Sequence, residues 1–131
     1  MAKIPFIYWL KKCYRVAIIF MVVFNTVACY AETGIASYYG NGEKLNKHTA
    51  NKEVFNPNIL TCATYNYPFN TMLKVTNMSN GKSVIVRVND RGPNKRLGRV
   101  IDLTISAFRK IASLDNGLIT VRIDMVKSKL R

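Results

Sequence analysis

The chain has 131 residues, a formal net charge of +13 and a pI near 10.0. This length suits one domain and is too short for two. The charge points to an anionic polymer as partner: nucleic acid, an anionic membrane surface or a cell-wall polymer that carries carboxylates. No motif of interleaved basic and aromatic residues supports nucleic acid, and we expect no such partner. His48 is the only histidine, and no cysteine or histidine pair has metal-ligand spacing, so we expect no metal and no other cofactor.

The N-terminal residues predict a targeting segment. Basic residues precede an apolar run, residues 16–28, that has the length of a signal-peptide core and is short for a membrane span. Cleavage after Ala31 would make residues 1–31 a signal peptide and residues 32–131 the mature domain. The alternatives are lipidation at Cys29 and an uncleaved anchor. Each of these places the domain in the periplasm or cell envelope of a bacterium, with membrane contact only through this segment or its lipid.

The predicted mature domain stays basic and contains a single cysteine. Removing residues 1–31 takes away four of the 20 basic residues and none of the seven acidic ones, which leaves a net charge of +9. Cys13 and Cys29 belong to the targeting segment, so no disulfide can form within the domain. We expect Cys62 to be a small core residue.

The domain then reads as a succession of short β-strands with one helix. After the first strand, residues 41–58 have the polar composition of a loop. The Asn80-Gly81 pair predicts the tip of a hairpin. The predicted strands are 34–40, 59–64, 71–77, 82–90, 98–103 and 118–126.

One helix is predicted before the last strand. Thr104 has the character of an N-cap, and Ile105 and Phe108, with Ile111 or Ala112, fall on one helical face. We expect the helix to end at residues 115–117. Six short strands and one helix in about 100 residues indicate a mainly β fold, a small closed or nearly closed barrel.

Several long stretches resemble one known family. "GIASYYGNG", "TANKEVFNPNILT", "PFNTMLKVTNMSNGKSVIVRVNDRGP" and "GRVIDLT", in that order, are similar to the rare lipoprotein A (RlpA) family of bacteria. The resemblance runs from residue 34 to about residue 126. It implies a six-stranded double-psi β-barrel. It also implies a lytic transglycosylase that cleaves peptidoglycan glycan strands and prefers strands without peptide stems.

The resemblance implies a catalytic aspartate and shows three departures. The family's catalytic aspartate lies in an Asn-Asp-Arg-Gly-Pro motif and matches Asp90. Its partner is a histidine, but the matching position holds Thr64. Asn70 replaces a glycine, and the loop 43–48 reads "EKLNKH", one residue longer than the family's Phe-His-Gly region. A turn aspartate that only caps backbone N–H groups is the alternative role for Asp90.

One carboxylate can perform this chemistry. A glycosidase that uses water generally needs two carboxyl groups. In a lytic transglycosylase, one acid protonates the glycosidic oxygen and the sugar's own C6 hydroxyl attacks the anomeric carbon. The product is a 1,6-anhydro muramic end, and no water is consumed. Thr64 and Asp102 are candidates for catalytic support, although we expect Asp102 to be a structural hydrogen-bond centre.

Further residues are candidates for substrate contact. Tyr38 and Tyr39 are strand neighbours and must face opposite ways, and we expect Tyr39 to face the cleft and stack on sugar rings. Arg91 should point away from Asp90, toward substrate carboxylates or toward Asp102. The candidate substrate-binding residues are Tyr39, Thr49, Glu53, Asn89 and Arg91.

Two function classes therefore stay open. The intact motif around Asp90 favours an exported enzyme that acts on peptidoglycan glycan strands. The missing histidine at Thr64 favours an expansin-like module that binds peptidoglycan without cleaving it. His48 could compensate if its loop folds over the cleft, whereas a solvated loop histidine would not.

Overall fold

The computed structural model describes residues 31–127. The predicted signal segment, including Cys29 and all of residues 1–30, lies outside the described residues. The mainly β fold predicted from the strand patterns is confirmed, and each strand lies within two residues of its predicted bounds. The strands are β1 (Glu32–Tyr39), β2 (Thr61–Ala63), β3 (Met72–Asn77), β4 (Ser83–Asp90), β5 (Arg99–Thr104) and β6 (Ile119–Met125).

The six strands close into a barrel with the neighbour order β1-β5-β2-β4-β3-β6. β1 runs parallel to β5 and β2 parallel to β4, and the other neighbours are antiparallel. The short strand β2 therefore lies between β4 and β5. Ala63 at its end is in register with Asp90 on one side and with Asp102 on the other. The topology thus brings Asp90 and Asp102 to the same end of the barrel.

Alternation along β4 shows why these residues form a barrel wall. Val84, Val86 and Val88 point inward and are buried, whereas Ile85 between them is 47% exposed. Burying one such side chain stabilises the fold by roughly 1.5–3 kcal/mol. The hairpin from β3 to β4 turns where predicted, with the Gly81 N–H donating to the Asn77 carbonyl at 2.8 Å. Cys62 is fully buried in the barrel core, as predicted.

The single helix of the described residues is shorter than predicted. Helix α1 covers Ile105–Arg109, and the prediction that it reaches residues 115–117 is wrong. Beyond it, the Phe108 carbonyl accepts from the Ile111 N–H at 3.0 Å and from the Ala112 N–H at 2.9 Å, a closing turn after which the helix does not continue. The predicted apolar face is nevertheless buried, because Ile105, Phe108 and Ile111 all pack in the interior.

Thr104 occupies the predicted N-cap position but does not cap the helix with its side chain. No hydrogen bond joins its hydroxyl to the first turn of α1. The hydroxyl instead donates to the carbonyl of Ile59 at 2.6 Å. Thr104 thereby ties the start of the helix to the segment that leads into β2.

The chain leaves β4 through a sharp corner. Gly92 has φ +147°, a conformation that side chains with a Cβ rarely adopt, and the Gly92–Pro93 peptide bond is cis. A short 3₁₀ turn, Lys95–Leu97, follows and ends at Gly98, which is left-handed with φ 65°. This corner carries the chain from Asp90 across to β5, where Asp102 lies.

Candidate active site

Asp90 stands at the end of β4 and is held by backbone donors. Its Oδ1 accepts hydrogen bonds from the N–H of Ala50 at 2.9 Å and from the N–H of Arg91 at 2.8 Å. Its Oδ2 accepts none from the part of the chain that the structure describes. The two donors therefore fix the plane of the carboxyl group and leave one oxygen for another molecule.

A pocket of about 390 Å³ opens beside this carboxyl group. Its walls come from β1, from the loop between β1 and β2, and from the end of β4. Phe55 and Leu45 supply apolar surface. The lining residues are Tyr39, Leu45, Asn46, His48, Thr49, Ala50, Phe55, Asp90 and Arg91. Asp90 and Arg91 meet the loop residues here although about forty positions separate them in the sequence.

The loop over the pocket is held in place by its own backbone and by β4. The N–H of Thr49 donates to the Glu53 carbonyl at 2.9 Å, and the N–H of Asn51 donates to the Asn89 carbonyl at 3.3 Å. The buried Thr49 side chain donates to the Asn51 side-chain oxygen at 2.5 Å. Thr49 therefore lines the pocket, while its hydroxyl is already engaged within the loop.

The two neighbouring tyrosines face opposite ways, as predicted. Tyr38 packs on Phe108, with ring centroids 4.8 Å apart, and its hydroxyl donates to the Leu114 carbonyl. Tyr39 lines the pocket and lies 5.3 Å from the Phe55 ring. Burial, and then the charge of Asp90, raises the pKa of the Tyr39 phenol above its usual value near 10.0. This phenol remains protonated at neutral pH.

Arg91 turns away from Asp90, as predicted, but not toward Asp102. Its guanidinium donates to the carbonyls of Thr64 at 2.8 Å and Tyr67 at 3.0 Å, and it lies 3.8 Å from the centroid of the Phe69 ring. The suggested contact with Asp102 is wrong, because these carbonyls and the ring already hold the guanidinium. Arg91 fixes the segment after β2 and is also one of the residues that line the pocket.

Glu53 and Asn89 lie outside the pocket in a polar cluster of their own. Glu53 accepts two hydrogen bonds from Arg87, at 2.7 and 2.9 Å, and one from Asn89 at 3.2 Å. The Arg87 hydrogen bond is the main cause that lowers the pKa of Glu53 to about 2. Asn89 is buried, at 2% exposure. Glu53 belongs to the loop and Asn89 to β4, and their contacts hold the loop against this strand. Neither residue lines the pocket.

Asp102 pairs with a cation inside the wall. Its carboxylate lies 3.2 Å from Arg99 Nε, and Arg99 Nη2 donates to its Oδ2 at 3.2 Å. Arg99 Nε and Asp102 Oδ1 lie within ion-pair distance but do not form a hydrogen bond with each other. Both atoms are buried and have no other hydrogen-bond partner among the described residues. Burial raises the pKa of Asp102 and the Arg99 charge opposes that rise. Asp102 does not line the Asp90 pocket.

The sequence pattern of the lytic transglycolase family matches residues 31–123. The chain belongs to the lytic transglycolase family. It is 48% identical over 94 residues to the probable endolytic peptidoglycan transglycosylase RlpA of a Nostoc species, 45% over 105 residues to the endolytic peptidoglycan transglycosylase RlpA of Campylobacter jejuni, and 43% over 107 residues to that of Rickettsia bellii. These alignments cover 71%, 79% and 80% of this chain. They cover only 25%, 38% and 47% of those relatives, so the chain spans less than half of their length.

Solved structures share the lytic transglycolase barrel. An expansin from Clavibacter michiganensis in complex with cellohexaose superposes with a TM-score of 0.61 at 21% identity, over 78% of this chain and 53% of that one. The Streptomyces papain inhibitor superposes with a TM-score of 0.59 at 23% identity, over 75% and 96%. Identities this low show the fold alone. With the family match, they confirm the predicted double-psi barrel.

The departures from the family pattern have different structural settings. Asn70, which replaces a glycine, has φ 67°, a left-handed conformation that asparagine tolerates better than most residues. Its side chain also accepts a hydrogen bond from Arg87 at 3.0 Å. This substitution therefore preserves the local backbone.

Thr64 lies next to Asp90 through its backbone but not through its side chain. Its N–H donates to the Asp90 carbonyl at 3.2 Å. Its hydroxyl is fully buried, donates to the Val100 carbonyl at 3.0 Å and accepts from the Asn66 N–H at 3.2 Å. The Thr64 side chain does not line the Asp90 pocket. The family histidine thus has no counterpart at this position that reaches the pocket.

The lining of the pocket includes residues that the candidate substrate-binding set omitted. Phe55 and Ala50 belong to a loop whose sequence has no periodic pattern, so no signal in the sequence pointed to them. The structure shows that both line the pocket with Asp90 and that the Ala50 N–H donates to its carboxyl group. His48 is exposed, yet it lines the pocket. Among residues 31–127, no three acidic, histidine or cysteine side chains converge on a possible metal position. Over the same range, no helix has the length and apolar character that would let it cross a membrane.

Proposed function

We propose that this chain is a lytic transglycosylase that cleaves the glycan strands of peptidoglycan. The observation that carries the proposal is the setting of Asp90, a carboxyl group that lines an open pocket and has one oxygen held by two backbone N–H groups. The curated relatives bear the name of this activity. Those relatives are much longer proteins, so the activity of this chain is our inference.

The pocket suits a reaction that needs one acid. Asp90 donates its proton to the glycosidic oxygen as the bond to the anomeric carbon breaks. The C6 hydroxyl of the same sugar attacks that carbon, closes a 1,6-anhydro ring and gives up its proton to a base at the site. Tyr39 and Phe55 form an aromatic wall on which a sugar ring can pack. Among residues 31–127, no second carboxylate lines this pocket, which is consistent with a reaction that consumes no water.

The substrate and cellular location follow from the same proposal. Glycan strands stripped of their peptide stems are the proposed substrate, as the resemblance to the RlpA family implies. The pocket of about 390 Å³ beside the carboxyl group offers room for sugar rings. Peptidoglycan lies outside the inner membrane, so we propose a periplasmic or envelope location. Export through residues 1–31, with cleavage after Ala31 or a lipid at Cys29, would deliver the domain there.

Digestion of peptide-stripped peptidoglycan by the full chain tests the proposal. Mass spectrometry of the soluble products should show internal cleavage with 1,6-anhydro muramic ends. Products with ordinary reducing ends, or no soluble product at all, would contradict it.

A glycan-binding module is the second candidate function. The observation in its favour is that the Thr64 side chain is buried and turned to Val100, so position 64 supplies no proton carrier to the pocket. This function predicts that the chain sediments with peptidoglycan but releases no fragment from it. The digestion experiment therefore separates the two candidates directly.

A further inference from the structure

Four titratable side chains line the Asp90 pocket: Tyr39, His48, Asp90 and Arg91. The Tyr39 phenol is held in its protonated form by burial and by the charge of Asp90. The Arg91 guanidinium is always charged and is bound to two carbonyls and to the Phe69 ring. Asp90 and His48 are the two remaining lining residues whose side chains can both donate and accept a proton.

The backbone around His48 is fixed rather than loose. The carbonyl of Lys47, just before it, accepts from the Phe55 N–H at 2.9 Å, and the N–H of Thr49, just after it, donates to the Glu53 carbonyl at 2.9 Å. His48 itself forms an isolated antiparallel bridge with Val54. The imidazole is therefore carried by a short two-stranded element.

The same element is attached to the carboxyl group of Asp90. Ala50, two residues after His48, donates its N–H to Asp90 Oδ1 at 2.9 Å. A sugar bound in the pocket would thus lie against the carboxyl group and the imidazole together. Residue 64 supplies no alternative proton acceptor to the pocket, because the Thr64 hydroxyl is buried and donates a hydrogen bond to the Val100 carbonyl.

We propose that His48 is the second catalytic residue of this site and accepts the proton of the attacking C6 hydroxyl. This inference rests on the proposed transglycosylase function. Asp90 gives its proton to the leaving glycosidic oxygen while the bond from that oxygen to the anomeric carbon breaks. The C6 oxygen forms the new bond to that carbon and passes its proton to His48. The proton then returns from the imidazolium to the Asp90 carboxylate, so no co-reactant is needed.

Kinetics on peptide-stripped glycan strands test the proton-transfer role in the full chain. His48→Ala should lower kcat by about 10²–10⁴-fold, the range of general acid–base catalysis, and change KM far less. Lys47→Ala is the matched control, since it alters the neighbouring side chain, keeps the backbone bond to Phe55 and changes a residue that does not itself line the Asp90 pocket. Its kcat should equal that of the wild type.

Rescue separates proton transfer from a merely structural role. Added imidazole should restore part of the kcat of His48→Ala, because a small diffusible base can enter the vacated space. His48→Gln, which keeps a hydrogen-bonding side chain, should remain as slow as His48→Ala. Wild-type kcat in either variant would overturn the proposal, and so would a loss that imidazole does not rescue.

A binding measurement distinguishes failure of this inference from failure of the proposed function. Because the chain has one histidine, the Cε1–H of its imidazole gives one NMR signal that needs no assignment to a residue. In Asp90→Asn, a short peptide-free peptidoglycan oligosaccharide should shift that signal. An unmoved signal in a chain that binds the sugar would overturn the role of His48 and leave the transglycosylase proposal standing. A shifted signal in a wild-type chain that makes no anhydro ends would contradict the enzyme, and the proton-transfer role with it.

Discussion

Asp90 and Asp102 lie in one stretch of sequence, residues 88–102, and flank the same residue of β2, yet their surroundings are opposite. Asp90 is held by two backbone N–H groups, faces a pocket of about 390 Å³ and has no cation paired with it in the described residues. Asp102 is largely enclosed, with 14% of its side chain exposed, and is paired with Arg99. Both are in register with Ala63.

This difference shows how one fold assigns separate tasks to two similar groups. Backbone donors orient Asp90 without occupying its second oxygen, so the group can exchange a proton with a ligand. The guanidinium of Arg99 pairs with the Asp102 carboxylate inside the barrel wall, so the charge of Asp102 contributes to the stability of the barrel. The Gly92–Pro93 corner allows both settings within a short stretch of chain, because it turns the backbone from β4 toward β5.

Asp90→Asn should give the largest effect on function and almost none on stability. The amide has nearly the shape of the carboxyl group and can still accept the two backbone hydrogen bonds, but it cannot deliver a proton. Formation of anhydro ends should fall by about 10²–10⁴-fold, as measured by quantitative mass spectrometry. Unfolding of this variant would instead identify Asp90 as a structural turn residue.

Arg99→Met should show the opposite pattern, with lower stability and an active fold. The change keeps the apolar stem but leaves the Asp102 charge largely enclosed without its cation. We expect a loss of about 1–3 kcal/mol in the free energy of unfolding at neutral pH. Turnover per folded molecule should stay near that of the wild type.

The pH dependence of this loss has a definite sign. Burial already raises the pKa of Asp102 in the folded state, and removing Arg99 raises it further. The folded state then favours the protonated carboxyl group, so stability declines as pH rises above the ordinary aspartate range. Urea unfolding should therefore show a larger loss in Arg99→Met at pH 7 than at pH 4. An equal or larger loss at pH 4 would contradict this account of the pair.

Glu53→Gln should weaken the attachment of the loop more gently. Glu53 is 36% exposed, so we expect its ion pair with Arg87 to contribute no more than about 1 kcal/mol. Its pKa falls from the usual 4.5 to about 2 on folding. Its contribution is therefore present above pH 4.5 and is lost as pH falls toward 2.

The Glu53→Gln variant should lose that dependence. Its unfolding free energy should lie below that of the wild type at neutral pH and converge with it near pH 2, as followed by urea titration. A difference that widens toward low pH would show that Arg87 is not the cause of the lowered pKa. Glu53→Gln should leave Asp90 chemistry largely intact, because Glu53 lies outside the pocket.

Salt should produce the smallest effect and a graded one. The predicted mature domain carries a net charge of +9, and attraction between exposed charges is screened at physiological ionic strength. Sedimentation with peptidoglycan should weaken steadily between low and high salt. Binding that ignores salt would assign the affinity to the aromatic wall of Tyr39 and Phe55 instead.

The sequence predicted the barrel well because its strands obey a local rule. In β4, buried residues alternate with outward-facing ones, as Val84, Val86 and Val88 show. Because neighbouring strand residues point to opposite faces, this pattern fixes which face of the strand packs on the core. The opposite directions of Tyr38 and Tyr39 follow from the same rule. The end of α1 was missed because an apolar residue, Ile111, continues the helical pattern although its backbone turns tightly at Phe108.

The site was predictable only in part because it is built by contacts between distant segments. The motif around Asp90 marked one wall of the pocket. Nothing local revealed that Arg91 would bind the carbonyls of Thr64 and Tyr67, or that Asn89 would be buried against Glu53. The same holds for His48, since a histidine in a polar loop has the same sequence signature whether it faces solvent or a pocket.

Cleavage in heavy-oxygen water is the most direct test of a single-carboxylate reaction that consumes no water. Peptide-stripped glycan strands digested by the full chain in labelled water should give 1,6-anhydro ends that carry no heavy oxygen, as read by mass spectrometry. Asp90→Asn in parallel should give neither label nor product. Reducing ends that carry the heavy oxygen would show that water is the nucleophile, and would contradict the account of Asp90 as an acid that works without a second carboxylate.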